Sequence, residues 1–75
     1  TLYNGSIGQE IFFMYSEANT GTFTINGYSG NLVLTGGNTD LNLTAIGQSV
    51  HLLAINNGLG VAVWFIVGGT GYTLA

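Results

Sequence analysis

The sequence predicts an all-β domain: a small antiparallel β-sandwich or β-barrel of six or seven short strands. Thirteen glycines and no proline punctuate its 75 residues. Between the glycines lie short runs rich in β-branched and aromatic residues, the signature of strands bounded by turns. Helical periodicity never persists beyond one turn. Residues 1–75 read as a single module with no domain boundary and no internal repeat.

The first strand is expected over Gln9–Ser16, apolar on both faces, with Ile11, Phe13 and Tyr15 on one and Phe12 and Met14 on the other. Thr22–Asn26 alternates, placing Phe23 and Ile25 opposite threonines. Asn31–Thr35 follows the turn Gly27-Tyr28-Ser29-Gly30, and Leu41–Ala45 follows the segment Gly36–Asp40. Leu32, Leu34, Leu41 and Leu43 are expected to face inward. Ser49–Asn56 and Gly60–Val67 flank Asn57-Gly58-Leu59, where the Asn-Gly pair signals a hairpin. Both hairpin strands are apolar on both faces. The tail from Gly68 is a glycine-rich bend with room for one more short strand.

Composition narrows the function. A domain this small buries only about 60% of the surface its unfolded chain exposes, and such domains usually add disulfides, a metal or oligomerisation. Cysteine is absent, and His51, Glu10, Glu17 and Asp40 are too thin a set for a structural zinc site. Oligomerisation is the remaining device. Lys and Arg are absent, the formal charge is −3, and charged residues make up 4% against 47% hydrophobic. Mean hydropathy is +0.46. Without cations the chain has no agent to neutralise phosphates, so neither nucleic acid nor an anionic membrane is an expected partner. The apolar run Val61–Val67 is far shorter than a membrane helix. A start at Thr1 rather than Met suggests a processed product or a segment of a longer polypeptide.

The chemistry-bearing residues favour a non-enzyme. Ser49, His51 and Asp40 include the residue types of a hydrolytic triad, but no strained elbow or oxyanion loop accompanies them. Glu10 and Glu17 would stand roughly 20 Å apart along a straight strand, too far for a glycosidase pair. Glu10 is expected to pair with backbone or water, and Glu17 to be a loop charge. The glycine runs have neither a following helix nor a lysine to hold a phosphate. No catalytic residue, cofactor site or metal site is expected. Trp64 lies inside the apolar hairpin, so packing explains it better than sugar stacking. Tyr28, at a turn tip, is the aromatic best placed for receptor or glycan contact. Asn42-Leu43-Thr44 matches a glycosylation acceptor on an expected strand and is read as coincidence.

Four stretches stand in order along the chain: Gly8-Gln9-Glu10-Ile11, Leu41-Asn42-Leu43, Gly47-Gln48-Ser49-Val50-His51-Leu52-Leu53 and Trp64-Phe65-Ile66-Val67-Gly68-Gly69-Thr70-Gly71. Together they resemble a β-module of tailed-bacteriophage virion proteins, found in capsid decoration proteins and in head or tail fibres. The middle of that module usually carries more charge than this sequence does. The resemblance implies a non-catalytic component on the virion surface, often a homotrimer, with other virion proteins such as capsid or tail as partners. Residues expected at the subunit interface are Ile11, Phe13, Leu53, Ile55, Val63, Trp64 and Phe65. Other functions compatible with the sequence are a receptor- or glycan-binding fibre tip centred on Tyr28, and an extracellular filament subunit.

Overall fold

A computed structural model describes residues 2–16 and 21–75. Glu17 lies outside the described residues. Among the described residues seven strands form in chain order: β1 Glu10–Met14, β2 Phe23–Asn26, β3 Leu32–Val33, β4 Asp40–Leu43, β5 Ser49–Asn56, β6 Ala62–Thr70 and β7 Thr73–Leu74. Short 3-10 turns, Tyr28–Gly30 and Thr35–Gly37, bracket β3. One sheet has the order β1-β5-β6-β3 and the other β2-β4-β7. These strands pair antiparallel except for the two-residue pairing of β3 with β6, which is parallel, as are the isolated bridges Leu2–Gly27 and Ser49–Gly71. The all-β fold expected from the glycine-punctuated strand pattern is therefore the fold observed.

Strand alternation decides which side chains reach the core. On β5, Val50, Leu52 and Ala54 are buried, and on β1 Ile11 and Phe13 pack against the same cluster. The register explains this, because Ile11 lies opposite Leu52 and Phe13 opposite Val50. The second sheet contributes Ile25, Leu41 and Leu43, and Leu32 and Trp64 complete the layer. Leu41, Leu43, Val50 and Leu52 have no exposed surface at all. Each such residue contributes about 1.5–3 kcal/mol relative to leaving it in water. The chain thus covers one face of its apolar hairpin with its own three-stranded sheet; among the described residues no second sheet covers the opposite face.

Trp64 anchors this layer. It is 1% exposed, and its indole N–H donates to the Tyr3 carbonyl at 2.9 Å. That bond spans most of the chain and ties the N-terminal segment to β6. Gly5 makes the approach feasible, since a Cβ there would stand 2.5 Å from Cζ2 of the indole. The Trp64 amide also donates to the Asn31 carbonyl at 2.7 Å. Asn31 itself is buried, and its side-chain amide donates to Asn4 Oδ1 at 2.7 Å.

The β5–β6 connection differs from a tight Asn-Gly turn. It is a loop over residues 57–61 held by two asparagines. Asn56 Oδ1 accepts from the Gly58 and Gly60 amides at 2.8 and 3.0 Å, and Asn57 Oδ1 accepts from Leu59 at 2.8 Å. Asparagine side chains mimic backbone acceptors at this spacing, so the longer loop is satisfied locally. Further along, the pairing shifts: His51 faces Gly68 but Leu52 faces Ile66, so Val67 is an extra residue on β6.

Candidate association surface

The outer face of the four-stranded sheet gathers the remaining apolar side chains. Across it run Glu10, Leu53, Phe65 and Val33, each directly opposite the next on neighbouring strands. A second row places Phe12 opposite His51, and His51 opposite Gly68. Ile55 faces Val63 beyond them. Phe12 and Met14 are 57% and 58% exposed, and Val67 is 52% exposed. Side chains on this face are close enough to stabilise one another across strands, but much of their surface still meets water.

Among the described residues, a carboxylate and an imidazole meet at one corner of this face. His51 Nε2 donates to Glu10 Oε1 at 3.0 Å. The two residues are diagonal neighbours, since Glu10 is opposite Leu53 and His51 opposite Phe12. The Phe12 ring meets the imidazole edge-on, with centroids 5.9 Å apart. Glu10 was expected to find backbone or water; the register instead gives it a side-chain partner. Both members are substantially solvated, so the pair contributes about 0–1 kcal/mol.

The seven residues expected at an interface divide between two faces. Leu53, Ile55, Val63 and Phe65 belong to the outer face by alternation, although Val63 is already buried within the chain. Ile11, Phe13 and Trp64 point the other way and pack in the chain's own core. Because the side-chain period of a strand is two, residues from both faces cannot share one planar contact. Phe12, Met14, Val33 and Val67 lie exposed on the outer side, and sequence reading passed over them as interface residues. Their signal was the two-sided apolarity of β1 and β6. Assigning a side required the register.

Tyr28 sits in the turn Tyr28–Gly30 and is 54% exposed. Its ring lies 5.1 Å from that of Tyr3, which is also exposed. The turn is fastened by Leu2, whose carbonyl accepts the Tyr28 amide at 2.9 Å. The tyrosine pair is thus carried on an ordered corner rather than on a free loop.

The hydrolytic residue types are not assembled as a triad. Asp40 belongs to the three-stranded sheet, where its backbone pairs with Ala75, whereas Ser49 and His51 are on β5. Ser49 is buried opposite Met14, and His51 Nε2 is engaged by Glu10. A cleft of about 390 Å³ opens between Phe13–Ser16 and Gly21–Phe23. Among the described residues Tyr15 is the titratable side chain that lines it, and its hydroxyl donates to the Gly21 carbonyl at 2.6 Å.

Comparison with known proteins finds no matching family model, no matching curated protein and no matching solved structure.

Proposed function

We propose that this chain is a non-catalytic structural module that associates with copies of itself on the outside of a tailed-phage particle, as a capsid decoration or fibre component. The observation that supports self-association is the outer sheet face. It exposes Phe12, Met14, Phe65, Val33 and Val67 in a chain with no Lys or Arg to solvate it. Contiguous apolar patches of this kind mark interaction surfaces. A standard interface hides roughly 800 Å² per partner, and the whole chain exposes 4444 Å². Burying one face is therefore within the reach of a single subunit contact. The virion setting, the count of three copies and contact with capsid or tail proteins come from the sequence resemblance.

Sedimentation of the purified chain tests self-association. An assembly of several copies is expected, with Leu53→Lys and Phe65→Lys dispersing it while far-UV circular dichroism is retained. A wild-type chain that stays monomeric at micromolar concentration refutes self-association. Peptide mass spectrometry of purified particles tests the setting: finding this sequence in stoichiometric amount supports it, and its absence removes it.

A second reading, a receptor- or glycan-binding tip, is favoured by the exposed Tyr3–Tyr28 pair, because paired aromatic faces suit sugar rings. Binding on a glycan array that Tyr28→Ala abolishes supports the tip, and an empty array argues against it.

A further inference from the structure

We propose that the free edge of β1 is a strand-pairing site for β1 of a second copy, joined antiparallel about a two-fold axis at Phe12. The inference rests on the self-association reading and adds an edge contact that extends the four-stranded sheet and leaves its outer face free for a further contact.

β1 is at the end of its sheet, with β5 on one side only. The Tyr15 amide donates to the Gln48 carbonyl at 2.9 Å, which marks the odd-numbered residues as those bonded to β5. In an antiparallel ladder the alternate residues then aim their N–H and C=O groups away from the partner. Glu10, Phe12 and Met14 are those residues, and among the described residues their outward backbone groups have no partner.

Other edges of the two sheets are protected. β3 and β7 are two residues long, and short edges template pairing poorly. β2 alternates with threonine and asparagine, and its terminal Asn26 carbonyl accepts the Leu2 amide at 2.7 Å. β1 has one charged side chain, Glu10 at its first residue, and no other such protection. The segment Glu-Ile-Phe-Phe-Met contains no lysine, proline or glycine, and its register with β5 runs without a bulge.

The segment is also complementary to itself. Pairing about Phe12 sets Glu10 against Met14 of the second copy, Ile11 against Phe13 and Phe12 against Phe12. About six backbone hydrogen bonds form, satisfying the outward groups of both strands. The two Glu10 carboxylates fall at opposite ends of the ribbon, about 13 Å apart along the strand and beyond the roughly 8 Å screening length of physiological salt. Each keeps its own His51. The outer faces of the two sheets then join with Phe12 and Met14 of both copies at the seam. A two-fold contact requires an even number of copies: two, or six where pairs are combined around a threefold axis.

Cysteine trapping tests this, because the native chain has no cysteine. Directly opposed residues of a hydrogen-bonded antiparallel pair have Cα atoms about 5.5 Å apart, within disulfide range. Under copper-phenanthroline oxidation, Phe12→Cys alone should give a covalent dimer. Glu10→Cys and Met14→Cys should each give little alone, and their equimolar mixture should give the heterodimer. All three positions are exposed, so the variants should fold. Phe12→Pro, which removes an outward N–H, should separately halve the native mass.

An assembly that forms but yields no Phe12→Cys dimer, contains three copies, or cross-links equally at all three positions overturns the pairing and leaves self-association standing. A monomeric wild type removes both. An edge that becomes protected from hydrogen exchange only when another virion protein is added identifies a different occupant and overturns the pairing.

Discussion

Replacing Trp64 by alanine separates a core role from an interface role. The side chain is 1% exposed within one chain, so its loss leaves a cavity between the sheets rather than a gap between subunits. Truncating a buried Trp typically costs about 3–5 kcal/mol. The lost bond to the Tyr3 carbonyl adds about 1 kcal/mol. A 75-residue domain has a total stability of about 4–11 kcal/mol at 0.05–0.15 kcal/mol per residue. Trp64→Ala should therefore remove at least a third of that stability and in the lower range unfold the chain. Urea denaturation followed by far-UV circular dichroism, at one fixed protein concentration, reads the loss. Val67→Ala, on an exposed position of the same strand, should shift stability by no more than about 1 kcal/mol. A Trp64→Ala chain that keeps its unfolding midpoint but changes its mass would show that the tryptophan packs between copies, and the assignment of faces would be reversed.

Gly5→Ala places a Cβ against the Trp64 indole and should cost about 1–3 kcal/mol, measured by the same urea titration. Gly69→Ala should be at least as damaging, because its φ of 145° is unfavourable for other residues and its Cβ would approach the Ser49 carbonyl to 2.5 Å; a thermal scan showing no loss would contradict the close β5–β6 approach. Glu10→Gln should change stability by less than about 1 kcal/mol, since the contact with His51 is solvated. A larger loss, read by denaturation at low and high salt, would show that the corner is buried by a neighbour.

Much of the fold was legible in the sequence because punctuation and alternation are local signals. Ser49–Asn56 forms the strand that its residues predict, and β1, β2 and β4 fall within a residue or two of their expected spans. The middle of the chain was less legible. Asn31–Thr35 yields only Leu32–Val33, because the Tyr28–Gly30 turn takes Asn31 as its cap and Thr35 enters the next turn. β6 runs on to Thr70, since an extra residue at Val67 lets the glycines continue pairing with β5.

The surface was legible in kind but not in detail. Excess apolarity on β1, β5 and β6 announced a second face. Whether Trp64 or Phe65 belonged to it depended on which sheet face the short strands β2, β4 and β7 would cover, and that is a long-range fact. The Tyr3–Tyr28 pair was hidden for the same reason, as its rings come from distant segments joined through hydrogen bonds of Leu2 and Asn4. The Glu10–His51 contact likewise required the β1–β5 register, which no single run of residues fixes.

Sedimentation velocity of the untagged chain over a hundredfold dilution tests the account at its root. A species of several copies that resists dilution, with hydrogen exchange suppressed at the outward Phe12 amide, is the expected result. A well-dispersed single chain with the Phe12 amide exchanging freely would contradict it, for the apolar outer sheet would then stand in water unaided.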